Sequence, residues 1–268
     1  MTPPPSAGPA VLRPPLDAAA RSRLRQALAS GEVMAYPTET FYALGGNALH
    51  PTLAARVLAL KRRSGDKALL LLVTPAQVPR LATDIAPAAR ALMAACWPGP
   101  LTLVLRAADD APPHLRDARG TVALRCSPHP LLGELLSLGG VPLIGTSANV
   151  SGDAPAASAA AVQQAFPAGI DLLLDGGPTA GGAPSTLLDT TVRPFAVLRR
   201  GALAVASLRR VLLPDFAADA PEDEEPTGAE GRATSSRQDG APDARGGASG
   251  HGPVQTGHGR RRGAPRKR

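Results

Sequence analysis

The chain has 268 residues, 44% of them hydrophobic and only 3% aromatic, and a formal net charge of +7. That length and apolar content suit one large α/β domain or two small ones, and the charge favours anionic partners such as nucleotides or RNA. Cys96 and Cys126 stand without a second Cys or His at ligand spacing, and no stretch nears the ~20 apolar residues of a membrane span, so zinc, a disulfide framework and a membrane protein are all set aside.

Taken in order, the Pro-rich residues 1–11 are expected to be disordered and carry no apolar run suited to a signal peptide. Asp17 caps a predicted helix through Ala29, with Leu24 and Leu28 on one face and Gly31 ending it. Residues 32–36 read as a strand, broken by Pro37-Thr38-Glu39-Thr40. Pro51-Thr52 starts a second helix that finishes in Lys61-Arg62-Arg63. Residues 69–73 form an apolar run of buried-strand length. Thr74-Pro75 and Pro87 open two further helices, and residues 101–105 and 121–124 are strands. Residues 130–138 are a helix and 142–144 a strand; Ser158 caps a helix to Phe166. Strands follow at 171–174, 187–189 and 196–198. The irregular alternation predicts an α/β fold, a single domain over residues 12–213 with a twisted mixed β-sheet flanked by helices.

Residues 214–268 are expected to form a disordered tail, acidic to Glu230 and basic from Arg260, because they hold too little apolar surface to offset ordering entropy. From Asp215 the nine basic and nine acidic residues cancel, so the +7 belongs to the folded part. A soluble, cytoplasmic protein is expected.

Polar residues recur at predicted strand ends, which is how an α/β sheet assembles one pocket from distant sequence. Residues 141–152, Val-Pro-Leu-Ile-Gly-Thr-Ser-Ala-Asn-Val-Ser-Gly, run from a buried strand into clustered hydroxyls and an amide. Such groups hold phosphate or carboxylate oxygens without bulk, or simply cap a turn. Lys61, Arg63 and Lys67 suit a polyphosphate, or equally a solvated helix end. Thr38, Glu39, Thr40 and Tyr42 form another polar set, with Arg125, Ser185-Thr186 and Arg199 at later strand ends. No P-loop or Rossmann glycine pattern is present. Ser64-Gly65-Asp66-Lys67 fits the Ser-x-x-Lys of penicillin-recognising serine enzymes, but their Lys-Thr-Gly strand is missing. His50, His114 and His129 are too scattered for a triad.

Eight ordered segments resemble the YrdC-like threonylcarbamoyl-AMP synthase family in its short form. They are Tyr-Pro-Thr-Glu-Thr-Phe-Tyr-Ala-Leu-Gly from Tyr36, Lys61-x-Arg63, Trp-Pro-Gly-Pro-Leu-Thr from Trp97, and Thr-Val-Ala-Leu-Arg from Thr121. Thr-Ser-Ala-Asn-Val-Ser-Gly from Thr146, Asp175-Gly176-Gly177, Ser185-Thr186 with Asp189, and Leu198-Arg199-x-Gly201 complete them. The resemblance implies a nucleotidyltransferase that makes threonylcarbamoyl-AMP and pyrophosphate from L-threonine, bicarbonate and ATP, with Mg²⁺ accompanying ATP and no tightly bound cofactor. It implies that Thr40, Arg125, the Gly145 backbone and Ser185 hold threonine. Arg63, Lys67, Thr121, Ser147 and Arg199 would hold ATP, and Lys61, Arg63, Ser147 and Asn149 form the catalytic Lys-x-Arg and Ser-x-Asn signature. A separate complex would pass the group to tRNA adenosine, and contact with tRNA or RNA is a further expectation. Ala43, Ser64, Leu72 and Pro155 depart from the family pattern. They weaken individual ligand assignments, and Leu72 keeps open a paralogue with another amino-acid or carbamoyl substrate. The basic face implied by the resemblance keeps open a second alternative, a double-stranded RNA- or tRNA-binding module without chemistry.

Overall fold

A computed structural model describes residues 8–63, 69–213 and 215–222. Among these, ten strands form one mixed sheet: β1 (Ala10–Leu12), β2 (Met34–Pro37), β3 (Tyr42–Asn47), β4 (Leu70–Leu72), β5 (Leu101–Arg106), β6 (Thr121–Arg125), β7 (Leu143–Ser147), β8 (Leu172–Leu174), β9 (Thr186–Asp189) and β10 (Ala196–Arg199). Their spatial order is β1-β8-β2-β3-β7-β4-β6-β5-β9-β10. Six helices join them: α1 (Ala18–Ser30), α2 (Leu53–Leu60), α3 (Pro87–Cys96), α4 (Pro130–Gly139), α5 (Ala159–Ala165) and α6 (Val205–Leu212). Local chemistry sets their ends. Asp17 accepts the Ala20 amide at 2.7 Å at the start of α1, and Gly31 closes it in the left-handed region at φ 68°. Ser158 caps α5 on Ala161 at 3.2 Å.

Strand alternation then divides the sheet into two faces. On one, Ala35, Leu44, Ile144, Leu71, Leu124, Leu103 and Leu188 form a continuous apolar layer under α2, α3, α5 and α6. On the other, Met34, Tyr36, Leu72, Leu143, Leu172 and Leu174 pack with Leu24 and Leu28 of α1 and Leu132 and Leu135 of α4. Each such buried side chain contributes roughly 1.5–3 kcal/mol. On this second face the residues of β6, β5 and β9 are Ala123, Arg125, Thr102 and Leu187, and there a hollow replaces the core.

The structure differs from the sequence expectations in five places. Ala10 and Val11, expected in the disordered N-terminus, join Leu12 in a strand that pairs in parallel with β8. The residues after Thr40 return as β3, antiparallel to β2, where a continuing loop was expected. Gly45 is needed there, since a Cβ would lie 1.6 Å from the Ile144 carbonyl oxygen on β7. The helix expected after Thr74 is a 3-10 turn, Pro75–Arg80, interrupted by Pro79. Helix α6 was not expected at all. The tail does not begin at residue 214: Phe216 packs on the first apolar layer, Ala220 is buried, and Asp219 pairs with Arg193 at 2.8 Å. Residues 1–7 and 223–268 lie outside the described part.

Candidate functional site

A hollow of about 390 Å³ opens on the second sheet face. Its first wall is the β2–β3 turn. Thr38 Oγ1 donates to the Phe41 carbonyl at 2.7 Å and accepts from the Thr40 and Phe41 amides, each at 3.3 Å, so a hydroxyl fixes the turn without bulk. Thr40 therefore faces Arg125 at the end of β6: Arg125 Nη2 lies 3.4 Å from Thr40 Oγ1 and donates to Glu39 Oε1. Arg125 is only 4% exposed, and its Nε has no partner among the described residues.

The second wall comes from α2. The helix closes with Arg63 N bonded to Leu58 O at 3.0 Å and with Arg62 in the left-handed region at φ 50°. That bend carries Lys61 and Arg63 to the hollow. The Lys61 ammonium is spent on three oxygens: Ser147 O, Asn149 O at 2.7 Å and Asn149 Oδ1 at 3.1 Å. An ammonium has three donors, so none remains for a ligand. The Lys61 carbonyl also receives the Ser151 amide at 3.1 Å. Asn149 accepts Ser147 Oγ at 2.6 Å and donates to Val150 O and Asp153 O at 3.0 and 2.7 Å. Lys-x-Arg and Ser-x-Asn thus form one network that ties the loop after β7 to the end of α2. Burial, reinforced by the Arg63 charge, pulls Lys61 down to about 8.

Gly145 floors the hollow on β7. A Cβ there would lie 2.2 Å from Leu72 Cδ1, so glycine leaves the strand backbone open to the hollow above a filled core. Across the hollow, Ser185 Oγ bonds Thr102 Oγ1 at 2.8 Å, and Arg199 reaches Ser185 O through Nε and Nη2 at 3.1 and 2.9 Å. Burial, then the Arg125 charge, lowers the Arg199 guanidinium from its ordinary range.

Of the residues singled out from sequence, Thr40, Lys61, Arg63, Arg125, Gly145, Ser147, Asn149, Ser185 and Arg199 all line this hollow. Thr121 does not line it. It shares a face with Ala123 and Arg125, but four residues of strand carry it about 13 Å from Arg125. Its buried Oγ1 has no partner among the described residues. Lys67 lies outside the described residues. Leu72 is fully buried in the second apolar cluster, where its side chain packs over the lining residue Gly145 without lining the hollow itself, whereas Pro155 lines it. Sequence reasoning gave no role to Thr102, Leu70 or Leu187; the signal was their alternation with the buried Leu101, Leu103, Leu69 and Leu188.

Four cations therefore line a hollow to which, among the described residues, no Asp or Glu contributes. No group of His, Cys, Asp or Glu among them is disposed to hold a metal ion. The arrangement suits an anion with several oxygens, bound by Arg forks, hydroxyls and backbone amides.

A family model for Sua5, YciO and YrdC, described as telomere recombination, matches residues 26–201. The chain is similar to the threonylcarbamoyl-AMP synthase of Pyrococcus abyssi, 36% identical over 183 residues that cover 68% of this chain and 54% of that protein. It is also similar to the threonylcarbamoyl-AMP synthase of Xanthomonas oryzae, 38% identical over 165 residues that cover 60% of this chain and 88% of that one. Among solved structures, Sua5 of P. abyssi complexed with L-threonine superposes with a TM-score of 0.71 at 33% identity, covering 76% of this chain and 60% of that one. The chain thus spans about half the length of the P. abyssi synthase it matches.

Proposed function

The chain belongs to the Sua5/YciO/YrdC family, and from that premise we propose that it is an L-threonylcarbamoyladenylate synthase. The observation that carries the reading is that Lys61, Arg63, Arg125, Ser147 and Arg199, drawn from four separate stretches of sequence, line a single hollow.

Two bonds are made in the reaction. The threonine amine adds to bicarbonate carbon and water leaves, giving a carbamate. A carbamate oxygen then attacks the α-phosphorus of ATP, and the bond to the β-phosphate oxygen breaks to release pyrophosphate. Each reactant carries at least one anionic group (a carboxylate, bicarbonate or phosphates), so the site needs cations and donors more than a nucleophilic side chain. Arg125 takes the threonine carboxylate as a fork, with Thr40, the Gly145 backbone and Ser185 around the rest of the amino acid. Arg63 and Arg199 meet the phosphates and the charge that grows on the leaving pyrophosphate, with Ser147 beside them. Lys67 and Thr121 remain proposed ATP contacts on the family resemblance alone. Thr121 lies outside the lining and would have to be reached by an extended nucleotide.

Lys61 takes a different role from the catalytic one expected: its donors are committed to Ser147 and Asn149. It holds the loop that presents Ser147 and reaches the phosphates only through that loop. We assign no side-chain base: threonine reacts as its free amine, its ammonium proton having passed to solvent. Holding the carbamate and α-phosphorus in line supplies most of the rate, on a scale that reaches about 7–11 kcal/mol in well-oriented reactions. Among the described residues no carboxylate lines the hollow, and we assign Mg²⁺ to the ATP phosphates as part of the substrate.

The product would feed a separate complex that moves the threonylcarbamoyl group to tRNA adenosine, in the cytoplasm. Among the described residues, no helix is long and apolar enough to cross a membrane. Incubation with MgATP, bicarbonate and single amino acids tests the reading. Pyrophosphate release should require threonine; release with another amino acid instead, or none under any metal condition, rejects it.

A further inference from the structure

Among the described residues, Glu39 is a carboxylate bonded to a lining cation of the hollow, Arg125, and it has no role in the reaction as written. It does not line the hollow, whereas its partner Arg125 does. Its two oxygens are divided: Oε1 accepts from Arg125 Nη2, and Oε2 accepts from Ser127 Oγ at 2.5 Å. The Thr38 hydroxyl fixes the turn that carries Glu39, so the carboxylate stands on an ordered support. Arg125 Nε, on the edge of the guanidinium that Nη2 also serves, is buried without a partner among the described residues. Arg125 and Arg199 are also close enough for like-charge repulsion, the second cause that lowers Arg199 after burial.

We infer that Glu39 is a positioning residue: held by Ser127, it fixes the Arg125 guanidinium from outside the hollow in the orientation that receives the amino-acid carboxylate. The inference rests on the reading that Arg125 binds that carboxylate. An arginine fork gives bidentate specificity only when its plane is fixed, and one anchored nitrogen fixes it. Glu39 also offsets part of the repulsion between the two guanidiniums. The opposite role, a carboxylate that competes with the substrate for Arg125, predicts a lower threonine KM in Glu39→Gln.

The test is steady-state pyrophosphate release and direct threonine binding by the full chain, for wild type, Glu39→Gln, Ser127→Ala and the double variant. Glu39→Gln keeps the shape but removes the charge on the anchor. It should raise the threonine KM about tenfold, the scale of losing a charge-assisted bond, with the ATP KM within about twofold. Ser127→Ala should shift the threonine KM in the same direction by less. The double variant should be no worse than Glu39→Gln, because Ser127 acts through Glu39; a merely structural pair would disturb ATP and threonine alike. An unchanged or lower threonine KM in Glu39→Gln, an equal rise for both substrates, or additive effects in the double variant overturns the inference. If Glu39→Gln does not fold, Ser127→Ala decides alone, and an unaltered threonine KM sinks the proposal. A wild-type protein that neither binds nor turns over threonine removes the functional reading itself, and this inference with it.

Discussion

The two halves of one sheet face have opposite fates. From β8 to β3 that face carries Met34, Tyr36, Leu172 and Leu174, which α1 and α4 cover. From β6 to β9 the same alternation presents Ala123, Arg125, Thr102 and Leu187, and the face becomes a hollow. Backbone pairing continues across both halves. What changes is only the chemistry at alternate positions, and β7 marks the change within five residues, Leu143 being core and Gly145 floor. Rigidity and reactivity are thus neighbours on one scaffold: the packed half holds the strands in register, and the open half spends that register on converging charge.

If the halves are that distinct, they should break differently. The largest effect is expected in the packed half: Leu135→Ala, at a fully buried site in α4, should cost about 2–5 kcal/mol of stability, seen in chemical denaturation, with threonine and ATP KM values unchanged in the folded fraction. In the open half, Arg63→Ala should do the reverse. Turnover is expected to fall at least ~10²-fold, the scale for a lost preorganised donor, with a melting curve like wild type. At the boundary, Gly145→Ala forces a Cβ onto Leu72 and should combine both losses: about 1–3 kcal/mol of stability and a raised threonine KM.

The mildest test uses pH. Lys61 lies near 8 in the folded protein, below the ordinary lysine value of about 10.4, so its ammonium is half lost at about pH 8 and disappears as pH rises further. Turnover should then fall above pH 8 by at most about tenfold per unit. Stability should not fall in that window, because the unfolded chain binds more protons there and the balance moves toward the folded state. A flat rate profile from pH 7 to 9.5 would show that the Lys61 staple does not limit the reaction.

The sequence showed the site better than the scaffold around it. Nine of its eleven singled-out residues line the hollow because strand ends of an α/β sheet converge, and polar residues at strand ends are legible without coordinates. Helix ends were equally plain, as Asp17 and Ser158 illustrate. Strand β3 was hidden because Ala-Leu-Gly-Gly-Asn reads as a turn, and the reason for glycine there, the Ile144 carbonyl, is a hundred residues distant. Three-residue β1 is too short to show a period. Nor could spacing reveal that Lys61 has no free donor: its partners are carbonyls, and carbonyls leave no mark in a sequence. Thr121 has the phase of Arg125 on β6 but stands four residues before it, outside the lining, and spacing alone does not convey that separation.

Arg62 has an exposed side chain and a backbone at φ 50°, which costs an ordinary residue about 1–2 kcal/mol. The middle letter of Lys-x-Arg is accordingly free in composition and constrained in curvature. Glycine or asparagine there would keep the cationic pair aimed, while valine or isoleucine would swing it away without touching a single ligand-facing atom.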